Sequence, residues 1–442
     1  MLGVAAAAPS EGLTTTPLLD AALADDLAEV SRLLAEGTDP SEANRYGTTA
    51  AELACLNGNA VMLKALIEAG AGGLAAPKLL LTAARTGNAE CVKLLLGKGS
   101  DPNAEGPGDQ TALMWAADAG HVAAIDVLLA AGADPSPRLD SGFDALFFAV
   151  RAGQLEATRR LLYTGLDVNA AAEPDNAKGR NMRSGTAPLM LAVENGHFEL
   201  ALELVKAGAD PNDQRSGFTP LHAISWVRKS VRGDGPDGIP PPQGKGGIGS
   251  LDFVRQLIAA GADVNASLKD GGGGTAKIRM KGATPFLMAA STCDLPLLQL
   301  LHKLGADPTI HNADNLSPLL ATCGMGVTAP GEEAGFEVEA IACARYLLEL
   351  GADINHVSQR GETVIHAAAY KSAPKLIAFL DEQGADIHIW NQKNKAGWTP
   401  LLIAQGFRPG NFRPIQYTID ALSAVMRAHG IEPPPAPPPP GR

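Results

Sequence analysis

Two short stretches determine how this chain folds: Thr219-Pro220-Leu221-His222 and, downstream, Gly261-Ala262-Asp263-Val264-Asn265. A threonine that precedes a helix caps it by accepting a hydrogen bond from a free backbone N–H, and proline fits the first helical position because the N–H that it lacks would be unpaired there. Glycine can take the left-handed conformation that ends a helix. The first stretch therefore predicts the start of a helix, and the second predicts the end of a later one.

Both signals recur along the chain. The start signal has eleven copies, at Thr16, Thr49, Lys78, Thr111, Asp144, Ala187, Thr219, Thr284, Ser317, Thr363 and Thr399. The closing glycine has ten copies, at Gly37, Gly70, Gly99, Gly132, Gly165, Gly208, Gly261, Gly305, Gly351 and Gly384. In eight of the ten cases the start and the glycine are 21 residues apart. The chain is therefore built from a repeated unit with a fixed part and connectors of variable length.

The fixed part fits two antiparallel helices. Leucine follows the start signal by two residues, as at Leu113 and Leu146, and small residues such as Ala116-Ala117 follow it by five and six. A turn comes next, and paired apolar residues such as Leu128-Leu129 then precede the closing glycine. We expect these pairs in the core.

This pattern resembles the ankyrin repeat family, whose unit of 33 residues starts with Thr-Pro-Leu-His and closes with Gly-Ala-Asp-Val-Asn. The resemblance covers about residues 13–430 and is most like long bacterial ankyrin proteins. It implies an all-α fold: an ankyrin-repeat solenoid of about 11 repeats, in which each unit adds a β-hairpin finger to two helices and the stack has a concave face.

The two ends differ from the repeats. Residues 1–12 are predicted to be a disordered N-terminus or the remnant of an export signal, so an exported location (periplasmic or secreted) and a cytoplasmic one both stay open. Residues 431–442 contain Pro433-Pro434-Pro435-Ala436-Pro437-Pro438-Pro439-Pro440 and are predicted to form a disordered tail, which is either inert or recognised by a proline-binding module.

Composition excludes several classes of protein. The net charge is −12, which disfavours a globally basic nucleic-acid binder, and no apolar run is long enough to span a bilayer, so membrane insertion is not expected. The five cysteines contain no CxxC pair and indicate neither a disulfide scaffold nor a zinc site.

Four insertions interrupt the repeats, at about 170–185, 228–250, 266–282 and 324–338. The first three together hold eleven lysines and arginines against five acids, and the fourth is acidic. Either the basic insertions attract a polyanion or an acidic partner, or they carry charge only because exposed loops need it for solubility.

The sequence contains few signals of catalysis or metal binding. His222 and His366 occupy the histidine position of the repeat, His121 and His197 lie in the turn between helices, and all four are expected to hydrogen-bond backbone. No known catalytic or metal-binding motif is present, so we expect no catalytic residue, no metal and no cofactor. Among the cysteines, only Cys293 is expected to be accessible.

Recognition is the remaining function. In the family, partners usually contact the finger tips and the inner face of the first helix, and aromatic residues and arginine are common at binding hot spots. The alternative is that the aromatic residues before the start signal pack on a neighbouring finger; Trp226 and Tyr370 are the stronger binding candidates. Carried over to this sequence, the partner-binding positions are Arg45, Tyr46, Asp118, Phe143, Arg151, Glu194, Arg215, Phe218, Trp226, Arg360, Tyr370, Lys395 and Trp398.

The sequence thus predicts a monomeric, non-catalytic scaffold that binds an unidentified protein. Two alternatives remain: an inhibitory or architectural module for a neighbouring enzyme, and a binder of nucleic acid or another polyanion through the basic insertions.

Overall fold

The structure is a computed structural model that describes residues 16–175, 182–229, 240–269, 281–327, 335–408 and 413–435. These residues form 23 α-helices and one 3-10 turn, Pro107–Asp109, and contain no extended sheet. The helices are α1 Pro17–Leu23, α2 Leu27–Ala35, α3 Ala50–Asn57, α4 Ala60–Glu68, α5 Pro77–Thr86, α6 Ala89–Gly97, α7 Ala112–Ala119, α8 Val122–Ala130, α9 Ala145–Arg151, α10 Leu155–Leu162, α11 Pro188–Glu194, α12 Phe198–Lys206, α13 Pro220–Arg228, α14 Ser250–Ala259, α15 Pro285–Ser291, α16 Leu295–Lys303, α17 Pro318–Cys323, α18 Glu337–Glu349, α19 Val364–Lys371, α20 Pro374–Glu382, α21 Ile387–Trp390, α22 Pro400–Ala404 and α23 Gln416–Ala428.

The chain divides into two compact units, residues 1–183 and 184–442, and the division falls inside the predicted insertion at 170–185. In the described part of the chain, unit 1 holds five helical pairs, α1/α2 to α9/α10. Unit 2 holds six, α11/α12 to α19/α20 and α22/α23, with the short α21 in a connector. Within each unit, first helices contact neighbouring first helices and second helices contact neighbouring second helices. Each unit is therefore a two-layer helical stack, as the repeat predicts.

The start signals cap the first helices. The side-chain oxygens of Thr16, Thr49, Thr111 and Thr219 each accept a hydrogen bond from the backbone N–H three residues later. The third unit differs from the prediction, because its helix begins at Pro77, with Ala76 as the cap, instead of at Lys78. Proline is favourable at the first helical position, so it starts this helix early.

The closing glycines all have positive φ, from 88° to 103°. A Cβ added at any of the ten would meet no atom within 4 Å, so backbone conformation and not space selects glycine here.

The connectors after the closing glycines are joined by an asparagine bridge. The amide of Asn212 donates to the carbonyl of Gly261 (2.9 Å) and accepts from the N–H of Asp263 (2.8 Å) in the next repeat. Asn265 bridges in the same way to Gly305 and Asp307, and Asn103 bridges to Gly132 and Asp134. This pairing explains why the repeat closes on Asp-x-Asn.

The predicted hairpin fingers are small. Among the described residues, antiparallel bridges join Ala43 with Thr49 and Glu105 with Thr111, and Ala172 and Thr186 are bridge residues as well. Several other fingers close on one backbone hydrogen bond, such as that from Asn394 N–H to Trp398 O at 2.9 Å, whereas Leu268 makes two, with Gly282 and Ala283. The connector is too short for a longer ladder.

Only one member of each paired apolar motif is fully buried. In α8, Leu128 is 0% exposed, whereas Leu129, which the sequence also places in the core, is only half-buried. The same asymmetry holds for Leu161-Leu162, Leu257-Ile258 and Leu347-Leu348. Adjacent residues on a helix point about 100° apart, so both cannot face the core equally.

We expect Leu128→Ala to lower the free energy of unfolding of unit 1 by about 2–5 kcal/mol, because it opens a cavity in a closely packed stack. Leu129→Ala, the matched control, should cost well under half as much. Urea unfolding of the two variants measures the difference, and equal losses would contradict the burial pattern.

The insertions are described only in part. Residues 176–181, 230–239, 270–280 and 328–334 lie outside the described residues, as do the predicted N-terminal segment 1–12 and residues 436–442 of the tail. The described end of the second insertion lies against repeat six, where a Cβ on Gly244 would be 1.8 Å from the carbonyl oxygen of Gly196. This segment packs on the stack instead of projecting from it.

Candidate functional site

A cavity of about 240 Å³ lies in unit 1, between the first helices α7 and α9 and the fingers that precede them. We call it the Phe143 cavity. It is lined by Gln110, Trp115, Asp118, Phe143, Phe148 and Arg151, together with Met114, Leu139 and Ser141.

Aromatic rings and a guanidinium form this cavity. The ring of Phe143 contacts Phe148 edge-on at a centroid distance of 5.3 Å, and the guanidinium of Arg151 lies 5.1 Å from Phe143 and 5.0 Å from Phe148. Arg151 is held by an ion pair of 2.8 Å with Asp118 on the neighbouring repeat. The indole Nε1 of Trp115 is buried and has no hydrogen-bond partner among the described residues. The site thus offers an apolar surface, a cation and an unused N–H donor.

A larger cavity of about 410 Å³ lies in unit 2, and we call it the Glu362 cavity. Its apolar wall consists of Met325, Val327, Ala396 and Trp398. Its polar lining consists of Arg360, Glu362, Tyr370, Asn394, Lys395 and Arg408.

Glu362 is the most unusual residue of this cavity, because its carboxylate is buried, at 6% exposed. Its Oε1 accepts hydrogen bonds from the Tyr370 hydroxyl and the Asn394 amide, both at 3.3 Å. Its Oε2 is also buried and has no hydrogen-bond partner in the described part of the chain. Burial raises the pKa of Glu362 and, together with the charge of Glu362, that of Tyr370.

Three cations line the same cavity as this carboxylate. Arg360 and Lys395 stand on adjacent finger tips, which are joined by a hydrogen bond of 2.8 Å from the Lys395 N–H to the Arg360 carbonyl. Asp314 lies 3.6 Å from the Arg360 guanidinium. Arg408 is buried and donates to the Tyr370 carbonyl at 2.6 Å, and burial lowers its pKa. When Glu362 is ionised, the lining holds three positive side chains and one negative side chain, so it is positive overall.

The structure brings seven of the thirteen sequence-predicted partner-binding residues into these cavities. Asp118, Phe143 and Arg151 line the first, and Arg360, Tyr370, Lys395 and Trp398 line the second.

The other six predicted residues lie elsewhere. Arg45 stacks over the exposed ring of Tyr46 in its own finger at 4.6 Å, and Arg215 pairs with Asp213 at 2.7 Å. Phe218 packs edge-on at 4.9 Å against Trp226, which lies in the first helix of the same repeat. Glu194 is half-buried at the end of α11.

Tyr370, which the sequence predicts to bind a partner, is less accessible than that role requires. Its side chain is 8% exposed and its hydroxyl donates to Glu362, so it supports the cavity wall.

Sequence reasoning missed Glu362, Asn394, Arg408, Gln110 and Trp115. A signal exists for Glu362, which directly precedes the start signal of its repeat. The corresponding residues of other repeats are neutral, such as Gln110, Phe143, Phe218 and Trp398.

The four histidines of the repeat bond backbone, which confirms the prediction. His222 Nε2 lies 3.1 Å from the carbonyl of Ala283 and therefore carries the proton, while its Nδ1 accepts from the hydroxyl of Thr219 at 2.7 Å. His366 makes the same pair of contacts with Gln392 and Thr363. His121 contacts the carbonyl of Arg85, and His197 accepts from the N–H of Lys245.

The prediction that Cys293 is accessible is wrong. Its side chain is 3% exposed and its thiol lies 3.6 Å from the carbonyl of Thr322, because the turn that carries it packs under the next repeat. Burial raises the pKa of this thiol. Cys55, Cys91, Cys323 and Cys343 are buried as well.

Two further findings concern the described residues alone. They contain no group of three or more His, Cys, Asp or Glu side chains arranged to hold a metal ion. None of their helices is both long and apolar enough to cross a bilayer.

Comparison with known proteins gives consistent matches. Family models described as "Ankyrin repeats (3 copies)", "Ankyrin repeat" and "Ankyrin repeats (many copies)" match residues 80–172, 184–215 and 339–380. Ankyrin repeat protein FPV230 of fowlpox virus (strain NVSL) is 26% identical over 218 residues, which is 49% of this chain and 90% of that protein.

Mammalian proteins are among the matches. Ankyrin repeat and SOCS box protein 16 of Mus musculus is 27% identical over 273 residues; the match covers 56% of this chain and about half, 53%, of that protein. The crystal structure of the human ASB11 ankyrin repeat domain is 22% identical, with a TM-score of 0.43, and covers 62% of this chain and 98% of that domain.

The family-model matches fall in both structural units, on segments whose capped helical pairs and closing glycines have the spacing of the repeat. The chain therefore contains ankyrin repeats in both of its units.

Proposed function

We propose that this chain is a non-catalytic scaffold that binds a protein partner through the inner face of its first helices and the adjoining finger tips, with the Phe143 and Glu362 cavities as the anchoring sites. Ankyrin repeats generally mediate protein–protein interaction, and the family is typically non-catalytic. The proposal extends this general property to particular residues of this chain.

One observation carries the proposal: residues selected only by their position in the repeat line two cavities that combine aromatic rings with arginine or lysine. Aromatic side chains and arginine in partly enclosed pockets are the groups that dominate binding energy at protein interfaces. In the Phe143 cavity these groups are held in place by the Arg151–Asp118 ion pair, so little order has to be gained on binding.

The polyanion alternative has less support. Of the eleven cations in the insertions, Arg228 pairs with Asp294 at 2.7 Å and Lys229 pairs with Glu339 at 2.5 Å. Both lie at the end of α13 and stabilise the stack, so they are not available to a polyanion without breaking internal contacts.

The proposal is tested by affinity capture from the native cell. We expect Arg151→Ala in the Phe143 cavity and Trp398→Ala in the Glu362 cavity each to weaken binding of the captured protein by about 10-fold or more, as at a hot spot. Tyr163→Ala is the matched control, because this aromatic residue is 82% exposed at the end of a second helix. Tyr370→Ala is unsuitable because it removes a buried wall.

Affinities are measured with the purified partner, after thermal melting has shown that each variant is folded. A partner that binds both cavity variants as tightly as the unmodified chain, or that responds only to Tyr163→Ala, contradicts the proposal.

A further inference from the structure

We propose that the Glu362 cavity recognises an acidic peptide, with a carboxylate of the peptide at Arg360 and Lys395, an apolar side chain against Trp398, and a peptide N–H donated to Glu362 Oε2. This inference rests on the proposed function and specifies the chemistry of the partner at one of its two sites.

Positive charge lies at the entrance of the Glu362 cavity. Arg360 and Lys395 project from two finger tips that are fixed to each other by a backbone hydrogen bond, so their charges stay close together. Lys395 is exposed, and no carboxylate lies within 4.0 Å of its ammonium group in the described part of the chain. Asp314 partly neutralises Arg360 at 3.6 Å, so Lys395 contributes most of the attraction. Because the whole chain has a net charge of −12, this local positive charge is a directional signal for an anionic group.

One oxygen of the Glu362 carboxylate is a hydrogen-bond acceptor without a partner in the described part of the chain. Oε2 of Glu362 is buried beside the cavity, while Oε1 already receives hydrogen bonds from Tyr370 and Asn394. A buried carboxylate oxygen without a partner is costly, and a donor from outside would remove that cost. The ligand group that donates this hydrogen bond must carry little negative charge, since Glu362 would repel a second carboxylate.

The Glu362 cavity also has an apolar wall. Met325, Val327, Ala396 and the indole of Trp398 form an apolar surface beside these polar groups, and the volume of about 410 Å³ accommodates one or two side chains.

An extended acidic peptide supplies all three features in order, because backbone N–H groups lie between its carboxylate and apolar side chains. A nucleic acid would bring phosphates close to Glu362 and has no aliphatic body for the wall. The peptide is therefore the ligand class that the lining favours.

The experiment uses the full chain and an array of nine-residue peptides, acetylated and amidated at their ends, that share leucine and phenylalanine at the centre. The flanks carry glutamate, glutamine or lysine, and a fluorescent 15-nucleotide oligo-dT serves as the polyanion. We expect glutamate-flanked peptides to bind at least 10-fold more tightly than glutamine-flanked ones. Lysine-flanked peptides should bind most weakly.

Two sets of variants locate the binding. Arg360→Glu with Lys395→Glu is expected to reduce affinity for glutamate-flanked peptides at least 10-fold. Lys64→Glu with Lys93→Glu makes the same change in net charge on exposed second-helix positions of unit 1 and should leave affinity within 2-fold.

Glu362→Gln tests the internal acceptor by the sign of its effect. If charge alone governed binding, removing this negative group would strengthen the binding of an acidic peptide. The proposed hydrogen bond predicts the opposite, a loss of about 3-fold or more, because an amide N–H₂ would replace the accepting Oε2. Thermal melting confirms that the variant is folded.

Equal binding of the three peptide classes, preference for oligo-dT, or stronger binding by Glu362→Gln would overturn the inference. If those results occur while Trp398→Ala still weakens partner capture, only the assigned chemistry is wrong. If Trp398→Ala and Arg151→Ala have no effect either, the proposed function fails with it.

Discussion

Replacing Asp294 with alanine is expected to destabilise unit 2 by about 3–5 kcal/mol. Its carboxylate accepts two hydrogen bonds from Arg228, Nε to Oδ2 at 2.7 Å and Nη2 to Oδ1 at 3.1 Å. The side chain of Asp294 is 5% exposed and that of Arg228 is 19% exposed. Removing the acid leaves a largely buried guanidinium without its counter-charge, which costs far more than the loss of a surface ion pair.

Asp294 has a second role, as the cap of α16, where its Oδ1 accepts from the N–H of Leu297 at 3.2 Å. Asp294→Asn separates the two effects, because asparagine is an equally good cap but carries no charge. We expect Asp294→Asn to cost less than alanine and to keep most of the stability of the helix start.

Asp252→Ala is the matched control. Asp252 also pairs with an arginine, Arg255, but both side chains are more than half exposed, so its removal should cost at most about 1 kcal/mol. The measurement is urea unfolding followed by circular dichroism, fitted with more than one transition where the units unfold separately. A loss for Asp294→Ala no greater than that for Asp252→Ala would show that the buried pair contributes little.

The helices could be predicted from sequence because their signals are local. A threonine cap, the proline after it and the closing glycine act within one turn of a helix, so Thr219 and Gly261 indicate structure without reference to any distant residue. The early start of α5 at Pro77 is a local effect that the repeat register concealed. The exposure of Leu129 depends instead on how α8 is rotated against its neighbours, which the pair Leu128-Leu129 alone does not specify.

The cavities could be predicted only in outline. The repeat places Phe143 and Trp398 on corresponding positions, and this is enough to predict that they line the inner side. It does not show that Tyr370 and Asn394, 24 residues apart, donate to one carboxylate. The Arg228–Asp294 pair spans 66 residues and crosses two insertions, so spacing contained no signal for it. Contacts between repeats can be predicted only when the stacking geometry is known, whereas contacts within one helical turn can be predicted from the sequence alone.

Acidification from pH 7 to pH 5 is expected to destabilise unit 2 through His222 and His366. Burial lowers the pKa of each imidazole to about 4, against 6.5 for an ordinary histidine. Between these values the unfolded chain binds protons that the folded chain does not, so stability falls as pH falls. The contribution is complete above about pH 6.5 and is progressively lost toward pH 4. At pH 5 each histidine costs about 2 kcal/mol, or about 4 kcal/mol together.

The measurement compares urea unfolding at pH 7 and pH 5 for the unmodified chain and for His222→Gln with His366→Gln. Glutamine does not titrate, so the double variant should start less stable at pH 7 but lose about 4 kcal/mol less on acidification. Equal pH slopes for the two proteins would mean that the two imidazoles titrate as freely in the folded chain as in the unfolded one.

Other buried groups do not obscure this comparison. Burial raises the pKa of Asp144 and of Glu362, so near their pKa values the folded chain binds more protons than the unfolded chain, and these two acids oppose the histidines as pH falls. Asp144 belongs to unit 1, and Glu362 is present in both the unmodified chain and the double variant. Their contributions therefore cancel in the difference between the two slopes, and what remains is the cost of protonating two imidazoles that the repeat holds neutral between a threonine hydroxyl and a carbonyl of the next finger.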